Sequence, residues 1–443
     1  MHKTNATLVG LLRAACLLIS GVTVAGVASA AGPPAFRVVY NMQGYDQPGG
    51  LIEGSPGAFY SIAGSGPSIV FSITSRGMQT ILGMIPNGPH FTSLLVGGPN
   101  GRFYTSFETG AYPSSVLSVT SVPGGQKIYP AQNVVAEFTQ NLPGGDLLAT
   151  ALNLSTGWGI AKSDVDGSVT WIAQVPSTDR TENVIYASDG NYYGVAEALS
   201  ASTGYVFRAT QTGSLTPLYN FSTGTFAGYL PTPLLQADDG NLYGSTVTGG
   251  ANGTGMIYKL TPSGQFTLLH SFEKGPIPHG PATLIEASDG NLYGVAQANS
   301  GAAQVFRITK AGVYAVIYQM SEPDGLPPCW LLQGSDGILY GIAHAGGSVG
   351  EGSVFALDAG LPKPKPTAQH FQPASGAVGA EVRIWGYNLL SPSVSFNGVA
   401  ATKVHNSGSN YILATVPAGA TSGPITVTTP GGTETTHTSF TVQ

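Results

Sequence analysis

The chain has 443 residues, of which only 9% are charged, with 17 basic and 23 acidic side chains and a formal net charge of −6. This negative balance argues against a nucleic-acid partner, because nothing here attracts a phosphate backbone. The 62 Gly and 31 Pro residues mark many tight turns, and no long stretch has helical periodicity. This composition predicts an all-β extracellular protein.

The first 30 residues have the pattern of a secretory signal peptide. A basic start precedes an apolar stretch, and the small residues Ala28, Ser29 and Ala30 follow it. Cleavage after Ala30 is expected, with no membrane insertion afterwards, which places the mature chain outside the cell, at the cell surface or in the periplasm. Cys329 is the one cysteine beyond this segment, so no intramolecular disulfide is predicted.

One seven-letter pattern recurs along the chain. It reads "SDGNYYG" at 188–194, "DDGNLYG" at 238–244, "SDGNLYG" at 288–294 and "SDGILYG" at 335–341. Around each copy the sequence divides into four short strands, and the first two are joined through Asp-Gly. This dipeptide predicts a two-residue hairpin in which both central residues have positive φ. Four successive antiparallel strands are typical of one propeller blade.

Weaker copies of the unit precede these four. The turn glycines of all seven copies are separated by 44 to 50 residues, a spacing typical of blade repeats; they are Gly57, Gly101, Gly145, Gly190, Gly240, Gly290 and Gly337. The seventh unit stops after its third strand, whereas the mature chain begins with an isolated strand, "FRVVYNM" at 36–42. We therefore predict a seven-bladed β-propeller over residues 34–360, in which the N-terminal strand pairs with residues 352–357 and closes the last blade.

The motifs "DGNLYG", "GGANGTG", "IYKLTPSG" and "LLHSF" resemble the GloVer-type tandem repeat of secreted bacterial proteins. The likeness is close in the units around Gly240 and Gly290 and weaker towards the N-terminus. It implies a propeller-like repeat and an exported protein, and it carries no chemistry with it.

A Pro-rich linker, "LPKPKP" at 361–366, separates the repeats from residues 367–443. This last segment alternates short strands with turns, as a small Ig-like β-sandwich does. Its "PASGAVGAEVRIWGYNL", "VSFNGVAAT" and "ATVPAGATSGPITVTT" resemble the IPT/TIG immunoglobulin-like domain. The resemblance implies a spacer or an adhesive module.

The sequence predicts no catalytic residue, metal ligand or cofactor. Asp189, Asp239, Asp289 and Asp336 could form a ring of carboxylates, but Asp is favoured at these turns for backbone reasons. "GGSVG" at 346–350 matches the serine nucleophile pattern, yet it lies between two strands, where a nucleophile elbow joins a strand to a helix. No H-E-x-x-H motif or close histidine pair indicates zinc.

Binding is expected on the longer and more varied loops at the end of the propeller opposite the repeated turns. The candidate binding residues there are Arg180, Glu182, Tyr229, His279, Trp330 and His344. Trp330 is open to a second interpretation, as a core residue. The function predicted first is a secreted, monomeric, non-enzymatic binding or scaffold protein that engages an extracellular glycan or protein. The alternative is an extracellular lyase or hydrolase that acts on polysaccharide.

Overall fold

The computed structural model describes residues 34–42, 49–63, 68–85, 95–98, 102–108, 114–120, 125–129, 134–142, 145–153, 155–164, 167–198, 203–222, 232–273, 278–279, 283–298, 303–326, 328–406 and 410–443. Within these ranges the chain is all-β. The helical content is one short 3-10 helix, Glu322–Asp324, and no helix in the same ranges is long and apolar enough to cross a membrane.

The strands of the described ranges form nine sheets, and seven of these hold four consecutive strand positions each. Sheets 1 to 4 consist of β2 (Ile52–Ser55), β3 (Ala58–Ala63), β4 (Ser68–Thr74) and β5 (Gln79–Ile85); β6 (Val96–Gly97), β7 (Arg102–Glu108), β8 (Ser114–Thr120) and β9 (Lys127–Tyr129); β10 (Val134–Asn141), β11 (Leu147–Asn153), β12 (Gly157–Ser163) and β13 (Val169–Gln174); and β14 (Asp179–Tyr186), β15 (Tyr192–Ala198), β16 (Thr203–Ala209) and β17 (Leu215–Asn220).

Sheets 5 to 7 follow the same antiparallel order. Sheet 5 consists of β18 (Leu235–Gln236), β19 (Leu242–Thr246), β20 (Met256–Leu260) and β21 (Phe266–Ser271). Sheet 6 divides its first position between β22 (Pro278–His279) and β23 (Leu284–Glu286), followed by β24 (Leu292–Ala298), β25 (Ala303–Ile308) and β26 (Tyr314–Met320). Sheet 7 consists of β27 (Pro328–Gln333), β28 (Leu339–Ala343), β29 (Ser353–Asp358) and the N-terminal strand β1 (Ala35–Asn41).

The N-terminal strand fills the fourth position of sheet 7. Phe36 pairs with Leu357 and Asn41 with Ser353, and the amide of Met42 donates to the carbonyl of Gly352 over 3.0 Å. The strand therefore covers an edge of β29 that would otherwise be exposed.

The repeated turns differ from the two-residue hairpin that the sequence predicted. The amide of Gly190 donates to the carbonyl of Ala187, and the amide of Ala187 donates to the carbonyl of Asn191. Only the glycine has positive φ, at 79°, so Asp189 is the second central residue of a type I turn that ends in a glycine bulge. Turn glycines of five other copies also have positive φ, and Gly101 lies outside the described residues; the five are Gly57, Gly145, Gly240, Gly290 and Gly337.

Successive sheets share their hydrophobic cores. Each of seven buried clusters combines side chains of two neighbouring sheets, and the cluster that contains Phe59 and Tyr340 joins sheet 1 to sheet 7. The first strands of several neighbouring sheets lie against each other, as β10 does against β14 and β23 against β27. The seven sheets thus contact one another in cyclic order, with their first strands innermost.

A repeated hydrogen bond ties the turns of adjacent sheets. A turn amide of one sheet donates to the Gln or Glu side chain at the end of the first strand of the next sheet. The pairs are Ser188 with Gln236 (2.8 Å), Asp238 with Glu286 (2.8 Å), Ser288 with Gln333 (2.8 Å) and Ser335 with Glu53 (2.7 Å). The last pair links sheet 7 to sheet 1, so the cyclic contact is completed by the bond used between other sheets.

Residues 367–443 form two further sheets with a core of their own. Sheet 8 contains β30 (Thr367–Gln372), β32 (Glu381–Tyr387), β36 (Tyr411–Thr415) and β35 (Val404–Asn406); sheet 9 contains β31 (Ser375–Gly376), β38 (Gly432–Val442), β37 (Gly423–Thr429), β33 (Ser393–Phe396) and β34 (Val399–Ala400). Ile384 and Val382 of sheet 8 pack with Val427 and Phe440 of sheet 9.

Candidate functional site

The two ends of the first strands are chemically different. The first strands end in the repeated Asp-Gly turns, and the third strands end at the same side in a second set of glycine turns, such as 210–213 and 261–264. We call this side of the cyclic assembly the turn end. The opposite side, where the first strands begin, is the loop end. Arg180 and Glu182 lie near the start of β14, and His279 lies on β22. The predicted residues of the described part of the chain are therefore spread over sheets 4, 6 and 7.

Trp330 occupies the junction of sheets 7 and 1. Its indole N–H donates to the carbonyl of Leu51 over 3.1 Å, and a Cβ atom placed on Gly50 would lie 2.9 Å from the ring. The side chain is half-buried and packs on the cluster that joins the two sheets. This environment matches the second interpretation of Trp330, as a packing residue.

The remaining predicted residues are described only by their position and strand register. His344 follows β28 and is exposed. Glu182 pairs with Val195 and His279 pairs with Gln297 in backbone register. Tyr229 lies outside the described residues.

Arg180 is the predicted residue around which other chemical groups gather. Its guanidinium lies 5.1 Å from the ring centroid of Trp158, and its Nη2 lies 3.7 Å from Oε1 of Glu137. Glu137 belongs to β10 and Arg180 to β14, the innermost strands of sheets 3 and 4. About 40% of the Arg180 side chain and 29% of the Glu137 side chain are exposed, so both side chains of the pair are partly accessible to solvent.

Two carboxylates beside Arg180 are buried. Asp179 is 6% exposed and accepts hydrogen bonds from Thr178 Oγ1 (2.9 Å) and from the Tyr205 hydroxyl (2.8 Å). Burial, together with this bond to Asp179, raises the pKa of Tyr205. Glu197 is 9% exposed and lies directly opposite Arg180 in the register of β14 and β15. We call Glu137, Trp158, Asp179, Arg180, Glu197 and Tyr205 the Arg180 cluster.

The cluster suits recognition of a polar ligand. It offers a guanidinium with directional donors, an aromatic face and, in Glu137, a partly exposed carboxylate that can accept hydrogen bonds from hydroxyl or amide groups. Buried carboxylates are rare unless they are paired, so Asp179 and Glu197 mark a specialised place in a chain with few charges. Among the described residues, no three His, Cys, Asp or Glu side chains are grouped as metal ligands.

Sequence reasoning selected Arg180 but missed the rest of this cluster. A signal for Glu197 was present in the repeats. Aligning "YYGVAE" with "LYGVAQ" matches Glu197 with Gln297. The residue opposite Glu197 on the neighbouring strand is Arg180, whereas the residue opposite Gln297 is His279. A position-by-position comparison of the repeats would therefore have identified sheet 4 as the unit that carries opposite charges.

The family model described as Gloeobacter/Verrucomicrobia repeat matches residues 180–386. This match supports a GloVer-type repeat protein over that part of the chain, and it extends past the predicted linker into sheet 8. No curated protein matches the chain.

Several solved structures are similar in fold. A streptogramin B lyase is 16% identical, with a TM-score of 0.56, over 73% of this chain and 97% of the lyase chain. Virginiamycin B lyase from Staphylococcus aureus is 15% identical, with a TM-score of 0.56, over 73% of this chain and 99% of that one. The extracellular domain of a hybrid two-component system from B. thetaiotaomicron is 11% identical, with a TM-score of 0.50, over 93% of this chain and 59% of that one. At such identities the likeness shows the fold alone, which is all-β and propeller-like.

Proposed function

We propose that this is a secreted, non-enzymatic binding protein whose seven four-stranded sheets are the blades of one closed propeller. It engages an extracellular glycan or protein at the loop end, and residues 367–443 form an Ig-like domain of the IPT/TIG type. The cyclic order of the shared cores and the bond between Ser335 and Glu53 support the closed propeller. The propeller occupies residues 34–360, after a signal peptide that ends at Ala30.

The observation that carries the binding role is the position of Arg180, on the inner strand β14, beside Trp158 of β12 and Glu137 of the inner strand β10. Hydroxyl-rich glycans and polar peptides present the donors and acceptors that such a cluster satisfies. At the turn end, backbone groups of the glycine turns already bond to one another within each turn. The loop end is therefore the better candidate for a ligand site.

The test begins with a glycan array and a pull-down from secreted material, using the mature protein. For the ligand so found, Arg180→Ala is expected to weaken binding by roughly tenfold or more, which corresponds to about 1.4 kcal/mol. Lys162→Ala is the matched control. Lys162 also forms an ion pair, with Asp146 at 2.8 Å and side-chain exposures of 41% and 35%, but this pair lies at the turn end and not at the loop end. Equal loss of affinity in both variants, or none in Arg180→Ala, contradicts the proposed site.

A polysaccharide lyase or hydrolase is the second candidate. Glu197, which is buried and lies opposite Arg180 in the strand register, supports it, since a buried carboxylate can serve as a general acid or base. If this activity exists, Glu197→Gln is expected to abolish formation of product from polysaccharide without unfolding the protein, and absence of any product with the wild-type protein favours the binding role.

A further inference from the structure

Sheet 8 has an aromatic face opposite its own core. Along β32, Val382 and Ile384 point into the core shared with sheet 9, so Trp385 and Tyr387 lie on the alternate face or beyond it. Tyr411 is the direct cross-strand neighbour of Trp385, with ring centroids 5.8 Å apart. Trp385 is 5% exposed and Tyr411 is 3% exposed. A sheet face turned away from its own core stays this dry only when another part of the protein covers it.

The covering surface is the turn end of the seven sheets. The hydroxyl of Tyr387 lies 3.3 Å from Nε2 of Gln140, near the end of β10 in sheet 3. Asn410 lies beside Gly97 at the end of β6 in sheet 2, since a Cβ atom on Gly97 would be 3.3 Å from Oδ1 of Asn410. Both contacts are made at the end of an innermost strand.

The linker holds the opposite side of the same end. The carbonyl of Pro362 accepts hydrogen bonds from Ser288 Oγ in sheet 6 and from Gln333 Nε2 in sheet 7, the second at 3.0 Å. Beyond it, the carbonyl of Lys365 accepts from Asn388 Nδ2 of the C-terminal segment. In a cycle of seven sheets, sheets 6 and 7 stand opposite sheets 2 and 3. The chain therefore reaches across the central axis at the turn end.

Tyr387 lies where sheet 8 meets the turn end of the seven sheets. Its side chain keeps 46% of its surface accessible, yet burial raises the pKa of its hydroxyl. Its hydroxyl also lies beside Gln140 of sheet 3, so the exposed part of this side chain is at the turn end of the seven sheets. This is the environment expected at the floor of a central channel.

We propose that the aromatic face of sheet 8 closes the turn end of the central channel, so that the channel is a cavity with its mouth at the loop end and Tyr387 at its floor. Residues 367–443 are then a stopper for the propeller and not a free spacer. If the proposed binding role at the loop end is correct, the cavity admits a compact solute or a chain end and excludes the passage of a continuous polymer. The closure itself does not depend on that role.

The experiment measures access to a cysteine at the floor. In the mature chain carrying Cys329→Ser, Tyr387→Cys is compared with Val378→Cys. Val378 lies in the same domain and is similarly accessible at 53%, but it precedes the start of β32, whereas Tyr387 is at the end of that strand. N-ethylmaleimide is expected to label both. A long polyethylene glycol maleimide is expected to label position 378 readily and position 387 slower by roughly tenfold or more, because only small molecules enter the enclosure.

Equal labelling of both positions by the long reagent overturns the closure, and so does failure of N-ethylmaleimide to label position 387. A second measurement detects a variant in which the substitution itself has moved residues 367–443 away from the turn end. The pair Gln140→Cys with Tyr387→Cys is expected to form an intramolecular cross-link with a short bismaleimide, whereas Gln140→Cys with Val378→Cys is not. Absence of the first cross-link in a folded protein also overturns the proposal. Neither measurement needs a ligand, so failure of the binding role leaves their outcome unaffected.

Discussion

The hydroxyl of Tyr243 lies 2.8 Å from Oδ2 of Asp239, four residues earlier in the same hairpin. The same bond joins Tyr193 to Asp189, Tyr293 to Asp289 and Tyr340 to Asp336. In three of these turns the Asn side chain after the glycine also donates to that aspartate. The recurring letters therefore encode a clasp, in which one carboxylate holds the turn and the strand that follows it.

Loss of the clasp hydroxyl is expected to destabilise the protein. Tyr243→Phe removes the hydroxyl that donates to Asp239, which keeps its bond from Asn241, and lowers the free energy of unfolding by about 1 kcal/mol. Tyr258→Phe is the control, because the Tyr258 hydroxyl is buried and has no hydrogen-bond partner among the residues that the structure describes. Its removal is expected to be neutral or stabilising. Urea unfolding of the two variants checks the contrast, which a larger loss in Tyr258→Phe would reverse.

Two glycines of one motif are expected to resist substitution for different reasons. A Cβ atom on Gly244 would lie 2.4 Å from the Tyr258 hydroxyl, so Gly244→Ala costs about 1–3 kcal/mol through overpacking. Gly240 has a φ of 77° and open space around it, so Gly240→Ala costs about 1–2 kcal/mol through its backbone alone. Each variant is then combined with Tyr258→Val and its free energy of unfolding is measured. The loss caused by Gly244→Ala is expected to shrink, because the crowding ring is gone, and the loss caused by Gly240→Ala is expected to stay the same.

The bond between sheets 7 and 1 gives a pH-dependent prediction. Burial raises the pKa of Glu53, outweighing the hydrogen bonds from Gly57 and Ser335 that lower it. Its folded pKa is therefore above the unfolded value, about 4.3. The stability linked to its protonation is fully present below the unfolded value and is lost as the pH rises through the folded one.

Glu53→Gln removes this titration and keeps an acceptor for the Ser335 amide, as Gln236 and Gln333 do in other sheets. We expect the free energy of unfolding of the Gln variant, relative to wild type, to be higher at pH 7 than at pH 4. Glu53→Ala lacks the acceptor and is expected to lose about 1–3 kcal/mol at both pH values. A difference between the Gln variant and wild type that falls as the pH rises would contradict the assigned direction.

Removal of β1 is expected to open sheet 7. Deleting residues 31–43 of the mature chain exposes the edge of β29, from Ser353 to Asp358, and the face of Phe355 on which Phe36 stacks at 5.4 Å. Cooperative thermal unfolding should be lost and aggregation should increase. Calorimetry and light scattering test this, and a deletion with an unchanged melting temperature would show that sheet 7 does not need its fourth strand.

Much of the strand order could be predicted because it is written locally. The Asp-Gly turns locate the hairpins. Only the seventh unit lacks a fourth strand, and "FRVVYNM" is the one strand that belongs to no unit, so its pairing with β29 was predictable. The turn type was wrong in detail. The sequence cannot reveal that the bulge after Asp239 lets the Tyr243 hydroxyl return to it, because this depends on the geometry of the finished hairpin.

The Arg180 cluster was less predictable, since it joins two repeats. Glu137 and Trp158 come from sheet 3, and Arg180 and Glu197 come from sheet 4, so no single motif contains the cluster. Trp330 attracted notice through its rarity, and its contacts turn out to be with Leu51 and Gly50, which are about 280 residues distant in the chain. Proximity of this kind follows from the cyclic order of the sheets and from nothing near Trp330 in the sequence.

The pairing of Phe36 with Leu357 also sets an order of events in synthesis. Strand β1 is made early, but its partner β29 is made 321 residues later. Each clasp of the Asp239–Tyr243 kind can form as soon as its own hairpin exists, whereas the seam between β1 and β29 must wait until nearly the whole repeat region has been translated. Until then β1 has an unpaired backbone, and contacts between such distant partners form slowly. Within the seven sheets, the hydrogen bonds of one of the first strands therefore form only after the last strand has been made, and until then its free edge is open to pairing with a wrong strand.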